Sequence, residues 1–92
     1  MLHQIYSIHD VKTQLYHKPF FLTNNATAIR EFQSLVNDKT TTIGKYPSDY
    51  SLHVMGEWDD TNNQFNMKKN SASLGNGVEF VLQPNYEETN EE

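Results

Sequence analysis

Only one stretch of this chain repeats its apolar residues at helical spacing, and that segment constrains the fold more than any other feature. From Ala26 to about Asp38, the residues Ala28, Ile29, Phe32, Leu35 and Val36 fall at i, i+3/i+4 and i+7 positions, which places them on one face of a helix. Arg30, Glu31, Gln33 and Ser34 then lie mainly toward water. Asn24 and Asn25 are good N-caps, because a short amide oxygen accepts from the free backbone N–H groups of the first turn. The polar run Asn37-Asp38-Lys39-Thr40-Thr41-Thr42 marks the helix end.

Elsewhere the period is close to two. Residues 2 to 9, rich in β-branched and aromatic types, read as a first strand that Asp10 ends. Val11 to Lys18 and Pro19 read as an irregular connection, since proline lacks the donor a central strand needs, and lead into the short apolar run Phe20-Phe21-Leu22. Residues 44 to 49, with Gly44 and Pro47, read as a loop. From Tyr50 to Trp58, the residues Tyr50, Leu52, Val54 and Trp58 alternate with Ser51, His53 and Glu57, which predicts a half-buried strand with one apolar face. Asp59 to Asn63 are turn formers, and Gln64 to Met67 return with period two, so residues 50 to 67 are expected to form an antiparallel hairpin. Residues 68 to 77 read as a polar surface loop. Val78 to Leu82 read as a last strand with Val78, Phe80 and Leu82 on one face, stopped by Pro84. The element order predicts an α+β fold, one helix packed on a mainly antiparallel four- to five-stranded sheet.

With 92 residues, the chain suffices for one domain, placed over residues 1–83. Its five Phe, five Tyr and one Trp imply a core built from a few large rings. The absence of cysteine rules out disulfides and thiolate metal sites and agrees with a reducing cytosol. Neither a signal peptide nor an apolar run of membrane-spanning length is found, so export and membrane insertion are not expected. Of the net charge of -5, residues 84–92 hold four of the twelve acids and none of the seven bases, leaving eight acids against seven bases over the rest. Such an end reads either as a disordered, solvated tail or as an acidic arm that competes with nucleic acid or meets a partner.

Catalytic signals are sparse. No phosphate-cradling glycine motif and no nucleophile elbow is present. His3, His9, His17 and His53 never pair at i, i+4 on the helix, so a zinc site would need long-range convergence and no metal or other cofactor is expected. Glu57, Asp59 and Asp60 around Trp58 fit turn chemistry better than a cation site or an acid–base pair. No catalytic residue stands out, and the chain is expected to bind rather than to catalyse. Single-stranded nucleic acid is held by rings that stack on bases and by cations that track phosphates. Lys45 beside Tyr46, Lys18 near Phe20, and Lys68-Lys69 near Phe65 offer that combination. The same rings serve equally well as core, and the same lysines as solubilising charge.

Several segments in order, above all Gly44-Lys45-Tyr46-Pro47-Ser48-Asp49-Tyr50-Ser51-Leu52 and Gly56-Glu57-Trp58-Asp59-Asp60, resemble a known family. Weaker matches are Tyr6-Ser7, Pro19-Phe20-Phe21, Ala28-Ile29-Arg30-Glu31-Phe32, Asn37-Asp38, Phe65 and Leu74-Gly75, so the likeness spans most of residues 5 to 82. The family is the small nonstructural protein of gokushoviruses, the single-stranded DNA bacteriophages of the microvirus group. The resemblance implies a protein absent from the mature capsid that acts in the host bacterial cytoplasm. It implies binding of single-stranded DNA during genome replication or in the switch to single-strand synthesis and packaging. On that expectation Lys18, Arg30, Lys45, Tyr46, Lys68 and Lys69 are the candidate contacts, in a homo-oligomer. The alternative is an adaptor that docks on the replication initiator, the procapsid or a host factor. Two departures from the family pattern are Asn62-Asn63 at a turn where relatives often carry glycine, and a longer acidic end after Leu82.

Overall fold

A computed structural model describes residues 1–82; the acidic tail expected over residues 84–92 lies outside the described residues. Strands β1 (Leu2–Asp10), β2 (Leu15–Tyr16) and β3 (Phe20–Leu22) precede helix α1 (Asn25–Val36) and a one-turn helix α2 (Thr42–Lys45). Strands β4 (Tyr50–Asp59) and β5 (Gln64–Asn76) follow, and the described chain closes with a 3₁₀ turn at Gly77–Phe80. The sheet has five strands in the order β2-β1-β4-β5, with β3 sharing the outer edge of β1, and every pairing is antiparallel. The architecture is α+β, one main helix on a mainly antiparallel sheet.

Helix α1 starts where the sequence places its cap: the Asn24 side chain accepts from the Thr27 amide at 2.8 Å and from the Thr27 hydroxyl at 2.9 Å. Ala28, Phe32 and Val36 are buried, and they meet Tyr6 and Ile8 of β1, Tyr50, Leu52 and Val54 of β4, and Ile43 of α2. This cluster on the helix side of the sheet is the core. The phenol of Tyr6 reaches out of it to donate to Asn25 Oδ1 at 2.7 Å, so its burial strands no polar atom. Where β2 gives way to β3, the buried Ser7 hydroxyl donates to the His17 carbonyl at 2.6 Å and closes the gap.

Three expectations from the sequence are corrected. Residues 68 to 77 are not a loop: β5 runs on to Asn76 beside β4, with His53 opposite Ser73 and Leu52 opposite Gly75. As an edge strand with little covering it, β5 carries no apolar alternation beyond Met67 to announce it. Nor are residues 78 to 82 a strand. Asn76 Oδ1 accepts from the Val78 amide at 2.9 Å while the Asn76 amide donates to Glu79 Oε2 at 3.0 Å, a capping box that turns the chain out of the sheet. Phe80 then packs edge-on against Phe32, and Asn37 ties the segment to the end of α1 by donating to the Phe80 carbonyl at 3.0 Å and accepting from the Leu82 amide at 2.8 Å.

The third correction matters most. Tyr6 pairs with Val54 and Ile5 with Gly56, so Met55 is an extra residue in β4, a β-bulge. Because side chains alternate with period two, one inserted residue sends everything beyond it to the other face. Trp58, expected beside Tyr50, Leu52 and Val54, therefore stands on the face that α1 does not cover. Gly56 permits the close approach this needs, since a Cβ there would lie 2.6 Å from the Asn66 carbonyl oxygen and 2.8 Å from the Met67 Cα.

Candidate nucleic-acid interface

Beyond the bulge, β1, the outer part of β4 and the start of β5 form an arm of the sheet with α1 no longer above it. In the arm the helix-side face carries the cross-strand file Gln4–Glu57–Asn66, which is polar. The opposite face carries His3–Trp58–Phe65 and Ile5–Gly56–Met67. We call this side the open face. Trp58 is the hub of its rings, with centroids 5.3 Å from His3, 5.8 Å from Phe21 and 6.0 Å from Phe65. Such spacings are those of interacting aromatic pairs. Yet Phe21 stays 42% exposed, Phe65 53% and Met67 55%, so the cluster offers its apolar surface to the outside.

A second ring cluster lies further along the same face. Tyr16 stands 4.6 Å from His9 and 5.6 Å from His53, with His9 and His53 5.9 Å apart. Ser71 Oγ joins it through hydrogen bonds with His53 Nδ1 at 2.9 Å and with the Tyr16 hydroxyl at 3.4 Å. Burial, reinforced by the neighbouring His9, pushes the His53 imidazole below its ordinary pKa.

At the tip of the arm the acidic run is occupied. Asp60 accepts from the Met1 amino group at 2.9 Å and lies 2.8 Å from His3 Nε2, and these partners hold its carboxyl below the usual range. Asp59 Oδ1 accepts from the Thr61 amide at 3.0 Å, the main reason its pKa is also lowered. Asn63 takes the left-handed conformation at φ 57° and accepts from the Trp58 indole at 2.8 Å. Among the described residues no three His, Asp or Glu side chains are grouped to hold a metal ion.

The six candidate contacts are split between the two sides. Lys68 and Lys69 belong to the widest irregularity in the sheet: between Gly56 opposite Met67 and Val54 opposite Ala72, residues 68 to 71 of β5 face Met55 alone. Both lysines are exposed there, and Lys68 lines a hollow with Gln4, Glu57 and Asn66. Lys18 is exposed at the other edge, between His17 and Pro19. Arg30 projects from α1 into a shallow groove with Gln33, Ser34 and Asn37, and Lys45 and Tyr46 end α2; all three belong to the helical layer. The ion pairs among the described residues involve only the Met1 amino group and His3, so no Lys or Arg is engaged by a carboxylate there. Sequence reasoning did not single out Trp58, Phe21, Tyr16 or Met67 as surface residues. The signal that could have found them is Gly56 inside an otherwise regular strand, which marks a bulge.

The sequence pattern of a known family matches residues 3–80, and that family is described as Phage ORF5 protein. The chain belongs to the Phage ORF5 protein family. No curated protein and no solved structure matches it. The family match covers β4, β5, all of β1 except Leu2, and every residue of both ring clusters, so the open face of this Phage ORF5 protein is part of the family domain.

Proposed function

We propose that this phage protein is a gokushovirus nonstructural protein that binds single-stranded DNA on the open face of its sheet. It acts in the host bacterial cytoplasm during genome replication or the switch to single-strand synthesis and packaging, and it carries out no catalysis itself. The observation that carries the reading is the array of half-exposed rings around Trp58 with Lys18 and Lys68-Lys69 at the two edges. Rings stack on any base with about 1–3 kcal/mol each, and lysines with no carboxylate partner among the described residues are available to phosphates. The near-neutral body imposes no repulsion that a local positive region could not overcome. In this reading Arg30, Lys45 and Tyr46, on the helical side, do not touch the same strand of DNA.

Trp58 is the sole tryptophan, so its fluorescence reports on the array directly. Titration with an oligodeoxynucleotide at several salt concentrations tests the proposal: three lysine–phosphate contacts on a single strand give a log–log salt slope of about -2. No binding at low salt rejects it.

A second reading, a protein-interaction adaptor, is favoured by the same exposed apolar surface and by the outer edge of β5, which has no partner strand among the described residues. Against edge pairing stand the bulge and the lysines at residues 68 to 71, features that protect a sheet edge from added strands. Capture of viral or host proteins from infected cells, lost when residues 84–92 are removed, would favour the adaptor.

A further inference from the structure

Between the Trp58 cluster and the Tyr16 cluster the open face sinks into a hollow of about 230 Å³. Ile5, Pro19, Phe21, Met55, Phe65 and Met67 are among the residues that line it. Its open surface is apolar throughout. Gly56, paired between Ile5 and Met67, adds no side chain to fill it. A closed apolar cavity of about 150 Å³ already admits a benzene ring, so this space accommodates one nucleobase.

Resting on the single-stranded DNA reading above, we infer that this hollow receives one unstacked base while its neighbours stack on the two ring clusters. Lys18 lies between His17 and Pro19, both lining residues, so it carries a positive charge beside the hollow at that edge of the sheet, whereas Lys68, next to the lining residue Met67 at the other edge, lines the polar hollow of Gln4, Glu57 and Asn66. Lys18 complements the phosphate next to an inserted base. Two properties follow. An apolar hollow makes no hydrogen bonds to base edges, so it accepts each of the four bases. A paired base enters only after its unstacking and unpairing have been supplied, a cost of roughly a few kcal/mol, so duplex DNA is refused.

The test uses the whole chain and labelled oligothymidylate of the shortest length that binds, read by fluorescence anisotropy. Two changes should each weaken binding roughly 5- to 150-fold, the range that loss of one stacked base implies. One replaces the central nucleotide by an abasic residue. The other is Met67→Trp, which fills the hollow from an exposed edge-strand position; Met67→Phe serves if the first variant unfolds. Arg30→Ala, on the helical side, should leave affinity unchanged. If the unaltered protein binds in a salt-sensitive way but neither change weakens it, the hollow holds no base, although stacking on the open face survives. If Met67→Trp converts a dimer to a monomer and leaves DNA affinity intact, the hollow belongs to a second copy and the inference falls. If no oligonucleotide binds at low salt, both readings fall together.

Discussion

The part of the sheet beneath the helix and the arm that extends past it are made from the same three strands, yet they keep their apolar side chains on opposite faces. Under α1, the files Tyr6–Val54–Ala72 and Ile8–Leu52–Gly75 look toward the helix, and Ser7–His53–Ser73 look away. In the arm, Gln4–Glu57–Asn66 take the helix side and His3–Trp58–Phe65 the other. One extra residue, Met55, makes the exchange. The body spends its apolar groups on folding, burying Leu52 completely, whereas the arm leaves Phe65 and Met67 more than half exposed. A single strand, β4, thereby serves stability with its first half and, on the proposed reading, recognition with its second.

The sharpest way to break this division is to truncate one residue on each side of the bulge. Leu52→Ala should destabilise the fold by about 2–5 kcal/mol, because it removes a fully buried side chain from the centre of the core. Phe65→Ala should change stability by less than about 0.5 kcal/mol. Denaturant midpoints of the two variants would measure both, and equal losses would show that the arm is structural core after all. For DNA the order reverses: Phe65→Ala should weaken single-strand binding by about 1–3 kcal/mol, the value of one stacked base.

The comparison also explains what could be read from the sequence. Helix α1, its Asn24 cap, β1, β4 and the turn over Asp59 to Asn63 are each announced by residue types and spacings within a short stretch of sequence, and each was legible. The exchange of faces was not, because binary patterning treats β4 as one uninterrupted alternation, and only Gly56 hinted otherwise. The later part of β5 was hidden because an edge strand exposed to water has no apolar face to show. The β-rich run from Val78 to Leu82 was misleading because the Asn76–Glu79 capping box and the seat of Phe80 on Phe32 outweigh local strand propensity. Candidate contacts chosen by adjacency in sequence, such as Lys45 with Tyr46, landed in the helical layer. The open-face array joins residues from β1, β3, β4 and β5, whose proximity exists only after the sheet has formed.

Helix capping sharpens the same contrast at a smaller scale. Asn24→Ala removes the acceptor for two donors of Thr27 and should lower stability by about 1 kcal/mol. Because α1 covers the body and not the arm, Trp58 fluorescence in the folded state should stay unchanged while the denaturant midpoint falls. A shifted Trp58 spectrum in the folded variant would mean that the helix and the arm are coupled more tightly than their separate packing implies.

The smallest expected effect concerns pH and lies on the open face beneath the helix-covered core. The folded-state pKa of His53 is depressed by burial first and by His9 second, so the unfolded chain takes up a proton at this site more readily than the folded one. Its contribution to stability is therefore fully present above the unfolded value of about 6.5 and is lost as pH falls through the folded value. The lowered pKa values of Asp38, Asp59 and Asp60 act in a separate window, since they reinforce the fold above the ordinary carboxylate range and fail only below about pH 4. Denaturant midpoints between pH 7.5 and 5 should thus decline gently for the unaltered protein and more gently for His53→Gln, which keeps a hydrogen-bonding group beside Ser71 without the titration. An identical decline in both would place the proton uptake elsewhere and remove His53 from the account.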